Sequence, residues 1–336
     1  MCSDSKFGTE VLGIDDYSLS LAKKYISSGE LVAFPTETVY GLGANATDGA
    51  AIKKIFAAKG RPQDNPLIVH LHKDYDVDKL VEVEYDYVYK LREKFLPGPL
   101  TMVYKSKGIV SKVATCGLET VGIRIPRSEA AQKFLRAVDM PIAAPSANVS
   151  KHTSPVTAAH VFDDLSGKIP LILDGGKCDG GIESTVLDVT HEVPVILRSG
   201  LITCEMIKEA VGECEYSDGS DKKVRSPGTK YAHYMPRSET ALYRRDDIKG
   251  AQEAYDEAVK SGKRAYFMCD EEIGKLLHGN ILNLGKTAEE IASNLYYRLL
   301  EGEKIADIII AFDVETGSDI DTGIMNRLEK ACKRAD

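Results

Sequence analysis

The stretch FPTETVYGLGANATDGAAIKKIFAAKGRPQDNPLIVHL, residues 34–71, decides how the chain folds. It grows out of LVAF (31–34), a short apolar run that reads as a buried strand. Inside it, DGAAIKKIFAAKG reads as a helix. Asp48 suits the N-cap, Gly60 the stop, and Ile52, Ile55 and Phe56 recur at i, i+3, i+4. PLIVHL reads as the next strand, so strand, helix and strand alternate as in an α/β chain. Gly41 and Gly43 give G-x-G, but the third glycine of a dinucleotide fingerprint is missing, as is the Gly-Lys-Ser/Thr of a P-loop. Alone, the two glycines read as a tight strand connection that needs positive φ.

Outward from this core, LTMVY, VGIRI, PIAA, PLILD, STVLDV and VPVIL are further strand candidates, with helices expected at 85–95, 128–138 and 157–165. So many strands with so few helices predict a twisted mixed sheet, partly antiparallel. After about Met206 the chain turns polar and rich in Gly, Ser and Pro, and GECEYSDGSDKKVRSPGTKYAHYMPRSE reads as a linker. Alternation then resumes with TALY, a helix at 251–260, RAYFM, NILNL, a helix at 288–300, ADIIIAF and a closing helix near 323–334. That is β-α-β order, predicting a small Rossmann-like parallel sheet. The expected division is a first domain over 1–206, a linker or lid over 207–237, and a second domain over 238–336.

At 336 residues, 43% apolar and 28% charged, the chain can bury a core in each of two domains. It has no run near the ~18 apolar residues of a membrane span. MCSDSKFGTE lacks the basic and apolar order of a secretory leader, so the expected compartment is the cytoplasm. The net charge of −8 weighs against a general nucleic-acid binder, although Lys53, Lys54, Lys59 and Lys151 keep an RNA-binding translation regulator as an alternative. Seven cysteines are scattered without a C-x-x-C, which fits reduced thiols better than disulfides or structural zinc.

Several polar clusters each allow two readings. Lys59 and Arg61 end a helix and can complement its dipole, but Pro62 and Pro66 stiffen the loop and Asn65 adds an amide, as an anion site requires. His70 and His72, placed two apart on one strand, suit either neighbouring hydrogen bonds or a small polar substrate; a third metal ligand is lacking nearby, so no metal site is expected. Thr120 and Arg124 point to one strand face, and a buried Arg124 must meet a carboxylate, from a side chain or from a ligand. The turns around Ser146 and around Ser184 are either helix caps or pocket rims, and neither has the G-x-S-x-G spacing of a serine nucleophile.

In order, PTETVYGLG, KGRPQDNPL, PGPLT, TVGIRIP, PSAN, DGG…ESTV and SPGTKYAHYMP resemble the Sua5/YrdC family over about residues 18–236, and the ending GIMNRLEKA is similar to the smaller Sua5 domain. The chain departs from the family pattern at Leu96, Lys151, Gly180 and Ser199, without losing a hydroxyl, cation or amide that the chemistry needs. The resemblance implies a YrdC-like catalytic domain followed by a Sua5 domain. It implies L-threonylcarbamoyladenylate synthesis, in which L-threonine, bicarbonate and ATP give threonylcarbamoyl-AMP, pyrophosphate and water. This is the first step of tRNA t6A37 modification, and the product passes to the t6A transferase machinery. By position, the resemblance implies that Thr38, His70, Arg124, the Ala144 backbone and Ser184 hold threonine. It gives ATP to Arg61, Asn65, Thr120, Ser146, Ser154, Arg198 and Tyr234, with Lys59 and Arg61 catalytic through charge. Mg²⁺ is expected to come with ATP, without dedicated protein ligands. An enzyme of the hydrogenase-maturation type, forming a carbamoyl-adenylate, is a second alternative, but it carries C-x-x-C motifs that this chain lacks.

Overall fold

A computed structural model describes residues 7–217 and 234–335. The helix Gly49–Lys59 begins where Asp48 Oδ1 accepts from the Ala50 and Ala51 amides, at 2.8 and 3.2 Å, and stops at Gly60, whose φ is 59°. Its Ile52, Ile55 and Phe56 are buried, as their spacing predicts. Helices Tyr87–Phe95, Glu129–Val138 and Ala158–Leu165 stand where expected, the last two capped by Ser128 and Thr157.

Among the described residues the larger sheet has twelve strands and is mixed. Its middle sets up the site. Ile68–His70 runs parallel to Thr120–Arg124 with His70 opposite Arg124, and Arg124 faces Thr101 on the antiparallel strand Leu100–Ser106. Residues opposite one another share a face, so histidine, arginine and threonine form one cross-strand row. Gly41 and Gly43 are strand residues inside Gly41–Asn45 and do not adopt positive φ, which corrects the turn reading. They are needed for space: a Cβ on Gly43 would lie 2.9 Å from Ile142 Cγ2 and 3.1 Å from the Phe34 ring. The strand holding His70 ends there, so His72 is not its strand-mate; His72 Nε2 instead lies 3.0 Å from Asp139 Oδ1.

The second sheet has five described strands, all parallel, in the order Ile281–Asn283, Ala265–Cys269, Ile308–Phe312, Glu239–Tyr243, Lys333–Arg334. The closing helix, Asp321–Ala331, ends three residues before the expected 334, because the chain then extends to pair at the sheet edge. At the other end, the strand Glu10–Gly13 and the helix Asp16–Ser27, with an Asp15–Ser18 capping box, escaped the sequence reading. Helix Cys204–Val211 crosses residue 206, and Glu215–Tyr216 still pairs with the larger sheet. Of the expected linker, residues 218–233 lie outside the described residues. One apolar cluster runs unbroken from Leu42 and Val69 of the first lobe to Leu295 and Ile324 of the second.

Candidate active site

The cross-strand row opens into a cleft of about 770 Å³, counted to its solvent mouth. Ten of the residues singled out above line it: Thr38, Lys59, Arg61, His70, Arg124, Ala144, Ser146, Ser184, Arg198 and Tyr234. Three do not. Thr120 sits at the far end of its strand in an adjoining pocket, Asn65 is buried and gives its carbonyl to Arg61 Nη2 (3.3 Å), and Ser154 Oγ donates to Glu183 Oε1 (2.6 Å).

The cleft has two chemical halves. In one, Arg124 is 4% exposed and its Nη2 lies 3.0 Å from Glu37 Oε1, without the alignment of a hydrogen bond. The carboxylate that Arg124 meets in this structure is therefore a side chain. Arg124 Nε, both Glu37 carboxylate oxygens and His70 Nδ1 are buried without a hydrogen-bond partner. Native structures rarely leave such atoms orphaned, and a cluster of them marks a place for a ligand. Burial, helped by the nearby Arg124 charge, lowers the His70 pKa to about 3, so its imidazole is neutral near pH 7. Around these groups stand hydroxyls: Thr36 Oγ1 and Thr38 Oγ1 are 2.9 Å apart, and Ser184 Oγ is 2.8 Å from Thr101 Oγ1. The Ala144 amide donates to Ile68 O (2.9 Å), which leaves its carbonyl for any ligand contact.

The other half is cationic. Lys59 Nζ donates to Ser146 O and Asn148 O, each at 2.5 Å, and to Asn148 Oδ1 at 3.3 Å. Three acceptors match the three hydrogens of an ammonium. Burial and then the Arg61 charge press its pKa well below that of an ordinary lysine. Lys59 thus braces the Ser146–Asn148 turn as well as supplying charge. Arg198 donates from Nε and Nη2 to Ser184 O at 3.1 and 2.9 Å. Tyr234, at φ 71°, is 5% exposed, and Thr153 Oγ1 donates to its carbonyl (2.9 Å). Among the described residues no three His, Cys, Asp or Glu converge to hold a metal, and no helix is long and apolar enough to cross a membrane.

The family model described as telomere recombination, covering Sua5, YciO and YrdC proteins, matches residues 24–200. A second, the threonylcarbamoyl-AMP synthase C-terminal domain, matches residues 202–332. The chain belongs to the Sua5/YrdC family. A threonylcarbamoyl-AMP synthase of Pyrococcus abyssi is 40% identical over 95% of this chain and 95% of its own length. One of Bacillus subtilis is 39% identical over 96% and 95%. The crystal structure of P. abyssi Sua5 complexed with L-threonine superposes with a TM-score of 0.87 at 38% identity, covering 98% of this chain and 99% of that one. Both sheets therefore belong to the Sua5 architecture, the mixed catalytic one and the smaller parallel one.

Within this Sua5 frame, residue-type reasoning missed Thr36, Glu37 and Glu183, while Asn148 belongs to the turn around Ser146 that it left open as a pocket rim. Thr36, Asn148 and Glu183 line the cleft, and Glu37 backs Arg124. A signal for two of them was present, since Thr36 and Glu37 stand inside the quoted PTET. For Glu183 two of the partners, Tyr296 and Arg327, lie more than a hundred residues away.

Proposed function

We infer that the protein is a threonylcarbamoyl-AMP synthase, joining L-threonine, bicarbonate and ATP into threonylcarbamoyl-AMP with release of pyrophosphate and water. The observation that carries this reading is one cleft with two unlike halves. Arg124, neutral His70 and paired hydroxyls suit an amino acid, and Lys59, Arg61 and Arg198 suit a triphosphate. The relatives named above bear the same activity over nearly their full length.

The amine of threonine takes up bicarbonate with loss of water to give a carbamate. A carbamate oxygen then attacks the ATP α-phosphorus, and pyrophosphate leaves. No protein nucleophile is required, because the substrates react with each other. The protein's contribution is to align them, an effect worth roughly 7–11 kcal/mol in well-oriented reactions. Arg124 would fix the threonine carboxylate, drawing it into the space beside Glu37. Thr38, Ser184 and the orphan His70 nitrogen would read the hydroxyl and amine. Arg61, Ser146 and Arg198 would hold the nucleotide, with Lys59 and Arg61 neutralising charge that builds on the phosphates. Asn65, Thr120 and Ser154 would act from behind the cleft wall, supporting the residues that touch ATP.

The acids near the cleft, Glu37 and Glu183, each face an arginine, Arg124 and Arg327. A cleft so furnished suits Mg²⁺ that arrives already chelated by the triphosphate. When bound, that ion would screen phosphate charge. The described cysteines are free thiols, which supports work in the reducing cytoplasm. The product is an activated acyl group, short-lived in water, and suits direct hand-over to the transferase machinery that modifies tRNA. Incubation with ¹³C-bicarbonate, ATP and L-threonine tests the reading. Mass spectrometry should find labelled threonylcarbamoyl-AMP, and an adduct without the label, or none, would refute it.

A further inference from the structure

Glu183 is where the second lobe meets the cleft. Its Oε1 accepts from Ser154 Oγ (2.6 Å), and its Oε2 accepts from Tyr296 OH (2.9 Å) and Arg327 Nε (3.2 Å). Tyr296 belongs to the helix Ala288–Ile305 and Arg327 to Asp321–Ala331, both in the second lobe. Arg327 is wholly buried, 0% exposed, and also donates to the carbonyls of Ser199, Gly323 and Glu183. Burying a guanidinium costs several kcal/mol before pairing offsets it. An apolar residue of similar volume would hold two lobes together as well, so the charge calls for another explanation.

Neither Arg327 nor Tyr296 lines the cleft, but Glu183, which both hold, does, and so does Tyr234, on which Tyr296 stacks. Glu183 and Ser184 are on its wall, and Arg198 grips the Ser184 carbonyl and hydroxyl. The ring of Tyr296 stacks on that of Tyr234, centroids 5.3 Å apart at 30°. Two glycines bring the lobes to backbone distance around this point. A Cβ on Gly181 (φ 69°) would overlap the Ala292 carbonyl, and one on Gly323 would lie 3.3 Å from Gly200 Cα.

We propose that Arg327 and Tyr296 are positioning residues for the nucleotide side of the cleft. Through Glu183 they set the Glu183–Ser184 turn, the Arg198 guanidinium and the Tyr234 ring, so the second lobe is a working part of the site. Only the identity of the nucleotide, ATP, rests on the function proposed above. Ser184 is also held by Thr101, so the threonine half depends less on the second lobe.

The test uses the full chain with Tyr296→Phe, Glu183→Gln and Arg327→Met. Calorimetry measures binding of β,γ-imido-ATP and of L-threonine, beside a thermal melt of each variant. Tyr296→Phe keeps its packing and should melt close to the unaltered protein. It should bind the ATP analogue roughly three- to tenfold more weakly, the size of one ordinary hydrogen bond, because the lost bond reaches the nucleotide only through Glu183. Threonine affinity should stay within about twofold. Arg327→Met should show the same bias more strongly, along with a lower melting temperature. Folded Tyr296→Phe and Glu183→Gln proteins with unaltered analogue affinity would overturn the proposal. So would equal losses for both ligands, or an unaltered protein that does not bind the analogue. If the unaltered protein binds the analogue but releases no pyrophosphate with threonine and bicarbonate, the proposed function fails, while the binding series still decides this inference.

Discussion

Arg124 and Glu37 are a buried charge pair whose geometry leaves hydrogen bonds unmade, and that imperfection is what a substrate carboxylate can use. Arg124→Gln should raise KM for threonine roughly tenfold to a hundredfold, the worth of a charge-assisted hydrogen bond. It should also lower the melting temperature, because Glu37 is then buried without its cation. An unchanged threonine KM in steady-state kinetics would show that the carboxylate binds elsewhere. Arg61→Ala, at a partly exposed position, should leave the melt nearly unchanged and depress kcat by about a hundredfold or more; retained turnover would remove Arg61 from the phosphate site. Valine should be a much poorer substrate than threonine, since a site furnished with hydroxyls is left unpaired by the isostere. Equal kcat/KM for the two would contradict the polar half. The chemistry of these side chains was legible in the sequence, because cations and hydroxyls beside turn residues are few. Their partners were not. Thr36 and Glu37 reach Arg124 only after three strands have been paired, and Lys59 braces a turn nearly ninety residues away.

At the scale of elements, caps and periodicity located most helices and strands to within a few residues. Asp48, Gly60, Ser128 and Thr157 act locally, so their signals survive in a short window. The edge strands Glu10–Gly13 and Lys333–Arg334 carry no such signal, because each exists through pairing with a strand far along the chain. Gly43 is an element-level feature as well. Gly43→Ala should cost about 1–3 kcal/mol in chemical denaturation, the usual penalty of overpacking. A neutral result would mean that Phe34 and Ile142 can move aside. His152 joins two elements across the lobes: its Nδ1 is 2.8 Å from Asp164 and its Nε2 2.9 Å from Glu303, with Arg237 completing the network. Burial opposes its charge, but the two carboxylates prevail and raise its pKa to about 9. The folded chain thus holds a proton that the unfolded chain releases near pH 6.5. This contribution to stability is full below about pH 6.5 and fades as pH rises through about 9. The melting temperature should fall over that range, and His152→Asn should flatten the fall; a fall of the same depth in the variant would remove His152 as its source.

For the whole molecule, the return of β-α-β order in the second half of the sequence announced the parallel second sheet. How closely the lobes would join was not legible. Glu183 meets Arg327, His152 meets Glu303 and His160 meets Glu301 across more than a hundred residues each, and no local pattern encodes such pairs. The consequence is a cleft whose far wall is backed by a different lobe, with a half of orphaned polar groups and a cationic half facing one another. A crystal structure of the protein with L-threonine and β,γ-imido-ATP tests that arrangement most directly. The threonine carboxylate should lie on Arg124 within about 3 Å, the distance of a charged hydrogen bond, with the amine turned toward the α-phosphate and the phosphates on Arg61 and Arg198. Threonine bound away from Arg124, with the Glu37 contact unchanged and the triphosphate outside the cationic half, would contradict it.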